Sequence, residues 1–177
     1  MMTSPYNAIF YLGDWGPYIL MWISVILLYK TPTYLFLFVL WTILNILLNY
    51  LLKGLIRQPR PNDREYLTMI EEKYRKILNF GRYGMPSGHT QVAVFSTLFV
   101  YLVTRKKWIL AAYGIVALVV MFQRVEFGFH TTLQVVAGAL VGCLVAVIAY
   151  LQGGTSVKGL LKQKQDDNYF GLNWSTQ

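Results

Sequence analysis

Between Lys30 and Lys53 the chain reads TPTYLFLFVLWTILNILLNYLL (31–52), 22 residues without a charge and crowded with Leu, Phe, Ile and Trp. At 1.5 Å of rise per residue this run makes a helix of about 33 Å, enough to cross a hydrocarbon core of about 30 Å. Similar runs follow outward from it. Tyr83 to Thr104 is broken only by His89, Trp108 to Gln123 is 16 residues long, and Thr131 to Val157 is longer than one crossing needs. Trp15 to Tyr29 is a shorter first candidate, with Asp14 and Pro17 at its start. The expected architecture is an all-α, polytopic membrane helix bundle, one membrane-embedded domain over residues 1–177. Its spans are expected at 15–29, 31–52, 87–104, 108–123 and 131–151. Trp15, Trp22, Tyr29, Trp41, Tyr50 and Trp108 lie toward span ends, where interfacial aromatics collect.

Composition agrees. Of 177 residues, 55% are hydrophobic and 14% charged, whereas a soluble domain carries about 25% charged residues. Intrinsic disorder is excluded on the same ground. A lone cysteine, Cys143, excludes an internal disulfide framework and a cysteine-based zinc cluster. The first residues lack a basic segment, so the first span is expected to serve as the targeting signal. The net charge of +8 would ordinarily point to nucleic acid or an anionic surface, and its meaning depends on where the charges sit.

One polar insertion separates spans two and three. Within it Tyr66, Ile70, Tyr74, Ile77 and Leu78 fall at the spacing of one helical face, Asn62 with Glu65 three residues on resembles a capping box, and Gly81 follows as a stop. A surface helix over about 63–80 is expected, lying on the membrane or solvated as a loop.

Four stretches break the rules for apolar spans: Lys53-Gly-Leu-Ile-Arg57-Gln-Pro-Arg60-Pro61, Gly84-Met-Pro-Ser87-Gly88-His89-Thr-Gln91, Gln123-Arg124-Val-Glu126, and His130 with Gln134 one turn later. With five spans all four fall on one membrane face. Lys53, Arg60 and Arg124 supply fixed positive charge, and arginine grips phosphate oxygens bidentately. Ser87 offers a hydroxyl, Gly88 lets backbone N–H groups approach, and a helix starting there points its N-terminus at an anion. His89 and His130 are the only histidines, and one can attack phosphorus while the other protonates the leaving oxygen. Each residue has a plainer role when taken alone: Lys53 as an interfacial anchor, Ser87-Gly88 as a cap, Arg124 with Glu126 as a loop pair. Their conjunction in a chain with so few charges favours a site. No acidic cluster accompanies the histidines, because Asp63, Glu65, Glu71 and Glu72 fall on the surface helix; no metal or other cofactor is expected.

Lys53-x6-Arg60-Pro61, Pro86-Ser87-Gly88-His89 and Arg124-x5-His130 resemble, in order and spacing, the three signature motifs of the type-2 phosphatidic acid phosphatase and vanadium haloperoxidase superfamily. The resemblance implies that His130 is the nucleophile that becomes a phosphohistidine and His89 the general acid. It implies that Lys53, Arg60, Ser87, Gly88 and Arg124 bind the phosphoryl oxygens. The hydropathy disfavours the soluble haloperoxidase branch. Two positions depart from the pattern: Gln123 where the family usually has Ser, and Gln134 where it usually has Asp. Gln134 can accept the Nδ1–H bond of His130 but brings no charge. The finer pattern, Gly84 to Gln91 and Arg124 to Gln134, is similar to the dolichyl diphosphate phosphatase branch, which also carries Gln here. That similarity implies a polyprenyl diphosphate substrate and a site facing the lumen of the endoplasmic reticulum. Phosphatidate or another lipid phosphate is the alternative substrate, and a non-catalytic lipid-phosphate binder the alternative of another class.

Basic residues divide seven to the face away from the motifs and six to the motif face once Lys53, Arg60 and Arg124 are set aside. The compact Arg105-Lys106-Lys107 loop favours the cytosol for the far face, and Asn173-Trp-Ser175 there is a glycosylation sequon whose use would invert the topology. Three cations in a phosphate pocket remove the case for nucleic acid. The expected partners are a lipid phosphate or diphosphate and the membrane lipids themselves, with oligomeric state left open.

Overall fold

The computed structural model describes residues 4–61 and 83–169, with side chains for 7–61 and 83–155. The surface helix expected at 63–80 and the sequon at Asn173 lie outside the described residues. Among those described, five helices account for the regular structure: α1 (Ser4–Leu28), α2 (Pro32–Ile56), α3 (Gly88–Thr104), α4 (Lys107–Glu126) and α5 (Thr132–Tyr169). Four of them, α1, α2, α4 and α5, are long and apolar enough to cross a membrane. The fifth, α3, has 17 residues and reaches about 26 Å.

Helix ends differ from the expectation at α1, α2 and α5, and at α4, which runs to Glu126 rather than Gln123 and so takes in Arg124. α1 begins at Ser4 rather than near Trp15 and carries Asp14 and Pro17 inside it. Pro17 removes one N–H from the ladder, a loss apolar spans tolerate when neighbours pack against them. Asp14 stays helical because it has a cationic partner on α4. α2 passes Leu52 and ends at Ile56, where Arg57 takes a left-handed conformation (φ 52°) and returns its N–H to Lys53 O at 3.0 Å. Lys53 therefore lies in the last helical turn, buried, instead of anchoring the span at the interface. α5 continues to Tyr169, although its apolar part closes at Thr155.

α3 occupies the centre and packs on all four other helices. Phe38 of α2 meets Phe95 and Phe99 of α3 with ring centroids 5.6 and 5.7 Å apart, all three rings buried. α5 lies closest to α3 because Gly138 and Gly142, four residues apart, carry no side chain into the contact. A Cβ on Gly138 would stand 2.5 Å from Ser87 O, and one on Gly142 2.4 Å from Gln91 O. Small residues at this spacing are how apolar helices bring their backbones together. Outward, Trp22, Ile26, Leu118 and Leu140 are each more than 60% exposed. Such a surface suits lipid rather than water, and the bundle is membrane-embedded.

α2 and α4 finish, and α3 and α5 begin, at one end of the bundle. Arg105 turns the chain at the other, where its guanidinium reaches Tyr150 Oη at 3.0 Å.

Candidate active site

The motifs are sewn together by backbone before any side chain is considered. Gly84 N–H donates to Gln58 O at 2.8 Å, and Pro59 bridges Tyr83, which ties the first motif to the second. Ser87 N–H donates to Gln134 O at 3.0 Å, tying the second to the third. Within the third, His130 N–H donates to Arg124 O at 2.9 Å. That bond closes the loop from Arg124 to His130, so the spacing of five residues is what sets the two side chains side by side.

A network of amides holds the second motif from behind. Asn49 Nδ2 donates to Pro86 O (3.1 Å) and to Gln91 Oε1 (2.8 Å), while Gln91 Nε2 donates to Asn45 O (2.9 Å) and Asn45 Oδ1 (2.6 Å). All three side chains are buried, where hydrogen bonds are strong and a missing partner is costly. They fix the point at which α3 starts.

In front of this frame lies a cavity of about 560 Å³, lined by Lys53, Arg60, Gly88, His89, Arg124 and His130. Six of the eight residues expected at the site thus share one wall. The other two stand behind it. Ser87 is wholly buried, its hydroxyl accepting from Thr90 Oγ1 at 3.1 Å. Gln134 is also wholly buried and braces His130. The first turn of α3, beginning at Gly88, faces the cavity with N–H groups that have no acceptor within the helix. Three basic side chains and a helix N-terminus line the cavity with the groups that an anion is attracted to.

The orientation of Gln134 follows from its partners. Its Nε2 donates to Pro59 O at 2.8 Å and Gln58 Oε1 at 3.2 Å. Its Oε1 accepts the Thr131 backbone N–H at 3.2 Å. A carbonyl cannot donate and a backbone N–H cannot accept, so the amide cannot be reversed. The 3.0 Å contact between Gln134 Oε1 and His130 Nδ1 must then have Nδ1–H as donor, which leaves Nε2 with the lone pair. Burial, followed by the charges of Arg60 and Lys53, pushes the His130 imidazole down to about 3, against the opposing pull of the Gln134 bond. The ring is neutral at pH 7, the form a nucleophile needs.

Asp14 of α1 also lines the cavity, and nothing in the sequence motifs marks it. Its Oδ1 accepts from Arg124 Nη2 at 2.6 Å and stands 3.6 Å from His89 Nε2. Arg124 thus pairs with Asp14, across 110 residues of sequence, rather than with Glu126; its guanidinium also lies over the Phe129 ring, 4.7 Å from the centroid. The signal for Asp14 was an acid within an apolar stretch, a functional candidate by default. Asn45 and Asn49 gave no comparable signal, since an amide does not interrupt a charge-free run.

The remaining wall is apolar and comes from Phe10, Tyr18, Met21 and Ile46 among others. An anion site with such a wall suits a phosphate carried on a hydrocarbon. Comparison with curated proteins found no match, and comparison with solved structures found none. A family model described as the PAP2 superfamily matches residues 34–158, from α2 into α5, which takes in every cavity residue except those of α1. By that match, and with the three motifs gathered on one cavity, the chain belongs to the PAP2 superfamily, a membership that supports phosphatase activity in general.

Proposed function

We propose that this protein is an integral-membrane lipid phosphatase that hydrolyses a polyprenyl diphosphate of the dolichyl type to the monophosphate, without a metal, through a phosphohistidine. The observation that carries the proposal is the fixed tautomer of His130, a neutral ring held by Gln134 at a cavity bearing Lys53, Arg60 and Arg124.

The terminal phosphoryl group is held by those three cations and the first N–H groups of α3 at Gly88, with Ser87 shaping that turn. His130 Nε2 attacks phosphorus, the bond to the bridging oxygen breaks, and His89 gives that oxygen its proton. Water then attacks the phosphohistidine, His89 takes the water's proton, and inorganic phosphate leaves with His130 restored. Charge stabilisation by fixed donors carries most of such a reaction. Gln134 orients the imidazole but lends no charge to the imidazolium. A diphosphate substrate suits that weaker support, because a departing monophosphate is a better leaving group than an alkoxide. The whole chain acts as one membrane-embedded unit. Its cavity faces the lumen of the endoplasmic reticulum or the exterior, as the basic Arg105-Lys106-Lys107 turn at the opposite end of the bundle favours.

The test is purified protein in detergent with EDTA, offered dolichyl diphosphate, phosphatidate and a soluble phosphomonoester. Dolichyl diphosphate is expected to be turned over best, and His130→Ala to abolish release. A preference for phosphatidate would change the substrate, and binding without release from any of the three would leave a non-catalytic binder.

A further inference from the structure

The anion cavity has an apolar extension. Tyr18, Met21 and Ile46 line the cavity and also line a second hollow of about 260 Å³ on the seam between α1 and α2. α1 leans on α4 and α3, and α2 on α5 and α3, while α1 and α2 touch each other only lightly. The seam is therefore a loose junction, matched among consecutive helices only by that between α4 and α5. Its walls are almost wholly apolar; Thr42 turns its hydroxyl back to Phe38 O at 2.7 Å.

Register gives the seam a direction. On α2 the wall runs from Ile46 back to Val39, and Val39 lies about 21 Å along the helix from Lys53. On α1 it runs away from Asp14 through Tyr18 and Trp22 to Val25, residues that return to one face. Both walls descend from the cations toward the middle of the bundle. Val39 and Ile43 are about half exposed, so the seam is open along its side to surrounding lipid.

We propose that this seam is the binding site for the hydrocarbon chain of the substrate, taking its first two isoprene units while the diphosphate occupies the cavity. The proposal rests on the lipid diphosphatase reading and adds where the chain lies and how much of it is held. At about 30 Å³ per heavy atom, the share of a water molecule in the liquid, 260 Å³ takes about nine atoms, close to two isoprene units. One seam takes one chain, which favours a single-chain prenyl diphosphate over a lipid with two acyl tails. Because the seam is open at the side, the chain slides in from the bilayer without leaving it.

Ile43→Trp fills the seam from a residue remote from the cations. For isopentenyl, geranyl and geranylgeranyl diphosphates (one, two and four units), kcat/KM of the wild type should rise from the first to the second and then level off. Ile43→Trp should lower it about tenfold for geranyl and geranylgeranyl diphosphate through KM, and leave isopentenyl diphosphate unchanged. Leu140→Trp, on the lipid-facing side of α5, should change nothing. Equal chain-length profiles in wild type and Ile43→Trp would overturn the proposal. A second measurement needs neither turnover nor a variant: a prenyl monophosphate with a diazirine on its second unit, photolysed on the wild-type protein. Label on peptides of α1 and α2 supports the seam, and label on α4 or α5 instead overturns it. Failure of the wild type to hydrolyse any of the diphosphates would refute the phosphatase reading, and the photolabel would still decide the seam.

Discussion

Replacing Gln134 by Glu, the same length and shape with a charge in place of the amide, separates orientation from electrostatic support. In the wild type Nε2 gives one hydrogen to Pro59 O at 2.8 Å and the other to Gln58 Oε1 at 3.2 Å. A carboxylate cannot give either. Two hydrogen bonds of about 1 kcal/mol are lost, and leaving Pro59 O against another acceptor costs a further 1–3 kcal/mol or so. Gln58 can turn its amide and recover one bond; Pro59 cannot adapt. Against this, a negative charge beside His130 would favour the imidazolium, and it would also repel the incoming phosphate. The balance is a loss of about 2–3 kcal/mol in holding the ring, or roughly 30- to 150-fold in rate. Phosphate release from dolichyl diphosphate in detergent with EDTA measures it, and single-turnover phosphorylation of His130 assigns the loss to the first step. Gln134→Asp, shorter by a methylene, should fall at least as far. Either variant matching or exceeding the wild type would refute the claim that the Pro59 and Gln58 contacts set the ring, and would show that charge outweighs orientation.

Gly84→Ala places a Cβ 2.3 Å from Gln134 Oε1; a displacement of that size should cost about 100-fold in kcat with membrane insertion intact, and a normal kcat would contradict the packing. Asp14→Ala removes the carboxylate that Arg124 holds at 2.6 Å. Because Asp14 is about half exposed, thermal unfolding should show a loss near the low end for a charged hydrogen bond, about 1–2 kcal/mol. Asp14→Asn, which keeps an acceptor, should recover most of it. Gly138→Ala meets the Ser87 carbonyl at 2.5 Å and should cost about 1–3 kcal/mol by parting α5 from α3. The pH dependence of stability follows from His130. Its folded value, about 3, lies below the ordinary 6.5, so between those limits the unfolded chain binds the extra proton. Stability is whole above about pH 6.5 and falls by at most about 1.4 kcal/mol per pH unit below it. Unfolding temperatures of wild type and His130→Gln should therefore converge as the pH drops from 7.5 to 5, and parallel curves would contradict a buried neutral ring.

Much of the bundle is legible in the charge-free runs, because a span's length and composition are local properties of the chain. The gathering of Lys53, Arg60, Gly88, His89, Arg124 and His130 on one cavity is legible as well. Once the number of spans is known, alternation of faces decides which loops meet. What the sequence hides depends on contacts across helices. Asp14 and Pro17 read locally as a doubtful helix start, and only Arg124 on α4 explains why an acid persists within α1. Lys53 is assigned to the site from its motif, but its burial within the last turn of α2 shows only once that helix is seen to pass Leu52. Ser87 has its phosphate role only from its place in the motif, and its burial, with the hydroxyl accepting from Thr90, is a contact the motif does not show. The amides of Asn45, Asn49 and Gln91 are polar enough to build the frame and too neutral to disturb an apolar run.

The most direct test of the account is to quench the purified protein during turnover of dolichyl diphosphate labelled in its terminal phosphate, with EDTA present, and map the protein-bound label. The account predicts an acid-labile, base-stable phosphoryl group on His130 that is absent from His130→Ala. Sustained phosphate release by His130→Ala, or label on any other residue, would contradict it.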